Sequence, residues 1–424
     1  MRQPHSNPWP AVRLLAGLFV VSAGCATAPR PVVPTPDEVA ALEARIARDS
    51  ADWDSMVRLG ATYRQVRRPD DAARVLVAAV TARPNDAPGV LHLGLTYEDL
   101  GRYPEARTLY ERYLAESRGN ALKREIRARI PLIQRRELEA AVHDAIARET
   151  ELAAAVVSQT TVAIFPFLYT GTNEQLQPLS RALAEMLSTD LSQTGRLQIV
   201  ERAQVQYLLN ELNLGATALV EPSTAAKSGR LLSAGRIVQG RITGDDESLR
   251  LQAAIVEVAG SPDASRTVEQ QDALRMLFEI EKRLAFDIYG SLGVQLTAAE
   301  RERVNQRPTE NLQAVLAFGR GLEASDSGNY ALAAREFATA ARLDGSFAAA
   351  RQNADRASQA AAAVATTTDQ LAAQALGTFD PSASSLAGVE TLVPGATGRD
   401  AAPEVLGKEG IGKQTILEIV IKRN

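Results

Sequence analysis

The chain has 424 residues, of which 45% are hydrophobic and 23% charged, with a formal net charge of -4 and a pI near 5.7. These ordinary proportions exclude a disordered or fibrous chain, and 47 basic against 51 acidic residues leave no basic surplus for nucleic acid. One Cys and three His exclude a Cys-rich structural zinc site and an intramolecular disulfide framework.

At the start, Arg2 and Arg13 precede an apolar run from Leu14 to Val21, followed by Ser22-Ala23-Gly24 and the lone Cys25. A positive start, a short apolar core and a small-residue site read as a secretory signal. The run is shorter than the roughly 20 residues that span a bilayer. The junction resembles the lipobox of bacterial lipoproteins, where the thiol is alkylated with diacylglycerol and cleavage leaves the modified Cys first. Ser22 stands where that family usually has Leu, with Val21 one place further back. The resemblance implies a signal over 1–24, lipidation at Cys25 and a Pro-rich tether over 25–36. Ala26 in place of Asp implies the outer membrane, periplasmic side. The alternative is a plain secreted protein with a stray thiol.

Thr35-Pro36-Asp37-Glu38 predicts a helix start, with Thr at the cap and Glu three residues on, and Val39, Leu42 and Ile46 supply its apolar stripe. Two segments then align: Gly60 with Gly94, Tyr63 with Tyr97, Ala72 with Ala106, Leu76 with Tyr110. The offset, 94 − 60 = 34, is the period of the tetratricopeptide repeat. Gly60 and Ala72 are small where antiparallel helices touch, and Tyr63 and Leu76 fill the space between them. The segment 37–118 therefore resembles that repeat family, with flanking helices capping the stack. In the family the first helix of each repeat lines a concave peptide groove. The resemblance places Val57, Ala61 and Arg64 there from one repeat, and Leu91, Leu95 and Glu98 from the next. The Lys/Asn clamp for a C-terminal carboxylate is absent, since Val57 and Ala61 occupy its positions. Either these helices hold a peptide or they pack on the rest of the chain.

A helical connector over 119–158 follows, carrying Ile126, Ile130, Ile133, Leu138, Val142 and Ile146, with Pro131 as a kink and its Arg residues offset by Glu. Val162 to Phe167 reads as a buried strand and Leu179 to Leu191 as an amphipathic helix ending at Gly195. Leu197 to Arg202 reads as a second strand ending in Glu-Arg, followed by a helix through Val205 and Leu212 and another over Thr224 to Ser233. Ile237 to Gly244 and Ser248 to Val258 form a hairpin, Arg266 to Gln270 completes a meander, and Leu274 to Leu284 closes the domain as a helix. Alternating strands and helices, then a hairpin, imply an α/β layer with a mixed sheet over 159–296.

This order, with Val162 to Phe167, the Glu-Arg strand end and Ser233-Ala234-Gly235-Arg236 before Ile237, resembles the CsgG-type family of curli secretion lipoproteins and its FlgO-like and TolB N-terminal-like relatives. The family's best-known activity is an oligomeric outer-membrane pore. A spanning strand needs about 9–11 residues with lipid-facing apolar alternation. The hairpin reaches that length, but Arg241, Arg250 and Glu257 interrupt it and it belongs to the core sheet, so a pore is disfavoured.

Residues 297–353 read as a third repeat-like unit, with Gly321, Ala333, Phe337 and Ala340 at the repeat's small and bulky positions. The Ala-, Thr- and Ser-rich 354–414 predicts a weak helix and then linker, and 415–424 predicts a strand that pairs within or between chains. The fold class expected is α+β multidomain: all-α tetratricopeptide-type helical repeats plus a central α/β domain with a mixed sheet.

His92 and His143 lie in helical sequence, and no G-x-S-x-G elbow occurs. Gly407 to Lys413 resembles a phosphate loop, but Gln414 replaces the magnesium-binding Ser/Thr. No catalytic residue, cofactor or metal is expected. The sequence predicts a non-enzymatic outer-membrane lipoprotein facing the periplasm, a scaffold or assembly factor in envelope biogenesis or secretion such as curli assembly. Its partners would be envelope or secreted proteins and peptides, with membrane contact through the lipid, no nucleic acid, and a homo-oligomer as an open option. The alternative is a CsgG-like oligomeric secretion channel.

Overall fold

The computed structural model describes residues 34–118, 122–214, 222–245, 247–259 and 265–377. Cys25 and its leader, the resemblance to a phosphate loop and the C-terminal strand lie outside these residues.

The chain opens with antiparallel helix pairs: α1 (Pro36–Arg48), α2 (Trp53–Gln65), α3 (Pro69–Ala82), α4 (Ala87–Asp99) and α5 (Tyr103–Glu116). Thr35 and Glu38 form the expected reciprocal cap of α1, satisfying two backbone donors that a helix start leaves open. The repeat spacing has a direct steric reading. A Cβ on Gly60 would stand 2.3 Å from Leu76, and one on Gly94 would stand 2.1 Å from the Tyr110 ring. Each bulky residue sits sixteen positions after its glycine (76 − 60 = 110 − 94 = 16), so the second helix of each pair rests directly on the first. The long α6 (Lys123–Ala147) continues past Pro131 and is followed by the short α7 (Glu149–Leu152).

The central sheet contains β1 (Ser158–Ile164), β2 (Leu168–Tyr169), β3 (Gln198–Ile199), β4 (Ala234–Gly244), β5 (Ser248–Glu257) and β6 (Arg266–Ala273). Its order is β3-β1-β4-β5-β6, with β2 also paired to β4. β1 is parallel to β3 and β4, whereas β4, β5 and β6 form an antiparallel meander, so the sheet is mixed as the alternation of elements implied. The strand read over Leu197 to Arg202 is shorter than expected. Only Gln198 and Ile199 form the strand, with the Val200 N–H still bonded to the Val162 carbonyl, and Arg202 already begins the next helix.

Helices cover both faces. On one side α8 (Leu179–Ser192) and α11 (Leu277–Ser291) enclose Val162, Ile164, Val238, Ile242, Leu249 and Leu251. On the other, α9 (Arg202–Glu211) and α10 (Pro222–Leu231) enclose Ala163, Phe165, Ile237, Val256 and Val258. Successive strand residues alternate between the layers, as the pleat requires. Val142 of α6 is buried in this second layer, so the connector is also part of the domain core.

After α12 (Ala298–Asn305) come α13 (Leu312–Asp326) and α14 (Tyr330–Leu343), where a Cβ on Gly321 would stand 2.5 Å from Phe337, again sixteen residues on. Within the stretch read as a weak helix and then linker, residues 354–365 and 368–375 are helical, in α15 (Ala348–Ala365) and α16 (Thr368–Ala375). Ala350, Ala354, Ala357, Ala360 and Ala363 make a buried stripe that lets α15 lie close against α14 and α6. The two repeat regions therefore meet through α6 and α15. No helix among the described residues is long and apolar enough to cross a membrane.

Candidate protein-binding site

The concave side of α2 and α4 is where the repeat pattern places Val57, Ala61, Arg64, Leu91, Leu95 and Glu98. The structure places Val57, Leu91 and Leu95 in one apolar cluster and leaves little of the six residues open. Val57, Ala61 and Arg64 are buried, Leu91 and Leu95 fully so, and Glu98 is half-buried. The charged members are matched internally: Arg64 donates to the carboxylate of Asp99, and Arg129 of α6 donates to Glu98. What covers the face is the chain itself. Leu371, Ala372 and Ala375 of α16 join the apolar cluster of Met56, Val57, Leu91 and Leu95, and α16 packs along α4.

His92 lies at this contact and is fully buried. Neither ring nitrogen has a well-formed hydrogen bond, although the Ala372 backbone is the polar group nearby that favours protonation. Burial, assisted by the Arg64 charge, pushes the imidazole down to about 4, so it is neutral at pH 7. That is a packing residue and not a general base. His143 is exposed on α6, with Nε2 at 2.8 Å from the Tyr207 hydroxyl.

A second polar cluster lies where the sheet domain meets the helices, around a cavity of about 160 Å³ lined by α6, α8, α9, α13 and α15. Arg202 is its centre. It donates to both oxygens of Asp326, at 2.9 and 2.8 Å, and stands 3.1 Å from a Glu185 oxygen. Arg181 adds a bond to Asp326 at 3.1 Å, and Arg135 donates to the Ser325 carbonyl at 2.9 Å. Glu201 faces the same cluster with Oε1 enclosed and unpartnered. Burial, then repulsion from Glu185, raises its carboxyl to about 7. Sequence reading marked Glu201-Arg202 as a strand end and missed this role, because the partners at Glu185 and Asp326 are distant in sequence. Among the described residues no group of His, Cys, Asp and Glu is arranged to hold a metal.

The fold is thus a helical-repeat protein interrupted by an α/β domain with helices on both sheet faces. Residues 142–270 match the family of the curli production assembly/transport component CsgG, and residues 90–122 match the tetratricopeptide repeat, so the chain carries a CsgG-type domain preceded by such a repeat. No curated protein matches it. Among solved structures, the LpoB C-terminal domain from Salmonella enterica is similar at 15% identity and a TM-score of 0.22, over 32% of this chain and 94% of that one. A tetratricopeptide repeat protein from Parabacteroides merdae aligns at 13% identity and a TM-score of 0.22, over 76% of this chain and 91% of that one. Yeast Tom70 aligns at 12% identity and a TM-score of 0.23, over 85% and 73%. Scores this low carry no argument about function.

Proposed function

We propose that the protein is a lipid-anchored outer-membrane scaffold on the periplasmic side, with no chemistry of its own. Cys25 is the anchor, the repeats bind envelope or secreted proteins, and the CsgG-type domain supports assembly in envelope biogenesis or secretion. The observation that carries this reading is the double use of α6. Its first half contributes Arg129 to Glu98 in the repeats, and its second half contributes Val142 to the core of the CsgG-type domain. A load on the repeats therefore reaches the assembly domain through one helix.

The channel reading is less well supported. The apolar residues of β4 and β5 are taken up by helices on both faces, which leaves that hairpin no apolar side for lipid. Metabolic labelling with palmitate, followed by membrane fractionation, tests the anchor. Label and membrane association are expected in the native chain and lost in Cys25→Ala. Conductance in a planar bilayer on adding the purified protein would overturn the scaffold in favour of the channel.

A further inference from the structure

The helix that packs on α4 is short, running only from Thr368 to Ala375. Thr366 and Thr367 separate it from α15, and the Thr367–Gln370 cap starts it afresh. A helix of this length does not persist alone in water, so docking is what keeps it formed. Its buried face is Leu371, Ala372 and Ala375, and the half-buried Leu376 just after it packs on the same cluster. A short helix, set off by a two-residue break and with few bulky side chains, has the form of a ligand on a tether.

The face underneath specifies what it accepts. Arg64 and Glu98 are already paired with Asp99 and Arg129, and His92 presents a buried ring, so no free charge is offered to a ligand. An acidic or basic peptide would bury its charge against this surface without a partner. An uncharged helix face with a leucine and small residues fits it.

We propose that the concave face of α2 and α4 is a receptor for a short amphipathic helix presenting Leu-Ala-x-x-Ala, that α16 fills it in cis, and that a partner protein's helix of the same pattern displaces it. This rests on reading the repeats as protein-binding surface and names the ligand class. Anchoring and assembly are read out by Cys25 labelling and bilayer conductance, so failure here leaves that part of the proposed function standing.

The test uses a fluorescent peptide spanning residues 366–377 and the full chain, native or carrying Leu371→Glu to expel α16. Anisotropy is expected to show binding to the variant at least tenfold tighter than to the native chain. The reason is that a two-residue tether holds α16 at an effective concentration on the order of millimolar. A peptide with Leu371 and Ala372 exchanged onto its polar face should not bind either chain. Hydrogen exchange on the native chain gives an independent measurement. Millimolar peptide should release the α16 amides from protection while those of α13 and α14 stay protected. Should Leu371→Glu unfold the chain, this second experiment decides. Unchanged α16 protection at every peptide concentration would overturn the proposal, as would absence of binding to a folded variant. A doubling of mass through exchanged α16 segments would make a second copy the occupant and overturn the assignment to a partner protein.

Discussion

Arg202, at the first turn of α9, grips both carboxylate oxygens of Asp326, at the last turn of α13, in a two-pronged bond at 2.9 and 2.8 Å. The residues are 124 apart in sequence and belong to the CsgG-type domain and the C-terminal helical pair. Both side chains are nearly sealed, at 9% and 6% exposure, so solvent screens the pair little. Two flat groups joined by parallel bonds define an angle as well as a distance. The contact therefore fixes how the third repeat-like unit stands on the sheet domain.

Asp326→Ala tests that clamp. The substitution leaves Arg202 buried with Glu185 alone and strips Arg181 of a partner. Removing one member of a buried pair typically costs about 3–5 kcal/mol, because the remaining charge is left uncompensated. Urea unfolding should show a loss of that size. A change below about 1 kcal/mol, as surface pairs give, would mean that water reaches Arg202 and that the clamp is not what sets the orientation.

This junction also shows what could be read in advance. Gly60, Gly94 and Gly321 announce the helical pairs, because close helix contact demands a missing side chain at a fixed distance from a bulky one. β1 announces itself by the apolar run from Val162 to Phe167, and β4 and β5 by apolar residues punctuated by polar ones. Pairings such as Arg202 with Asp326 leave no such mark, since any Arg can meet any Asp once the chain folds. For the Ala-rich α15 a weak helix is predicted, and what the sequence conceals is its burial. Composition counted its alanines as too small to bury, but at spacings of three and four they form a flat face that lets helices approach closely. For α16 a signal was present. Thr367-Thr368-Asp369-Gln370 is a capping box before Leu371, masked by the low complexity around it.

Two groups make stability depend on pH with opposite signs. Glu201 has a folded value of about 7 against 4.5 unfolded. Between those values the folded state holds the proton and the unfolded state does not, so stability falls as pH rises from 4.5 to 7. His92 has a folded value of about 4 against 6.5 unfolded, so there the unfolded state holds the proton and stability rises from pH 4 to 6.5. The two slopes oppose each other across most of the range. Glu201→Gln should therefore reveal the His92 rise, with the variant gaining on the native chain by up to about 3 kcal/mol as pH increases from 4.5 to 7. Chemical denaturation of both chains at half-unit intervals gives the difference curve. Asp190, also raised by burial but part of a separate cluster, cancels in that difference, whereas Glu185, which repels Glu201, is relieved in the variant and adds to it. A flat difference would show that Glu201 is ionised in the folded state throughout.

The same substitution should have opposite effects at two glycines. Gly94→Ala places a Cβ 2.1 Å from the fully buried Tyr110 ring, which has no room to retreat. Overpacking of this kind costs about 1–3 kcal/mol and exceeds the roughly 1 kcal/mol that alanine contributes to a helix over glycine. Gly290→Ala, on the exposed side of α11 with nothing near its Cβ, keeps only the helix gain, at most about 1 kcal/mol that close to the helix end. Thermal melts should move down for the first and up for the second. A stabilised Gly94→Ala would mean that α4 and α5 can separate without loss, which contradicts the steric reading of the repeat.

Beneath the sheet, Lys282 of α11 donates to both oxygens of Asp190 on α8, at 2.8 and 2.7 Å, with a Glu281 oxygen 3.4 Å away and the Tyr289 hydroxyl bonded to the Asp190 carbonyl at 2.7 Å. Burial, then the nearby Glu281, hold the Asp190 carboxyl well above its usual range, and the lysine opposes them. Lys282→Met keeps the length and apolar stem of the side chain but removes the charge, leaving two buried acids to face each other. The expected loss is about 3–5 kcal/mol at pH 7. It should shrink at pH 5, where protonating an acid of raised pKa in the folded state requires less free energy. Adding Asp190→Asn should restore part of the loss at pH 7, since an amide needs no counter-charge. Urea unfolding of the three chains at both pH values separates the explanations. An equal loss at pH 7 and pH 5, with no recovery in the double variant, would assign Lys282 a packing role and remove charge from the account of how α8 and α11 are joined.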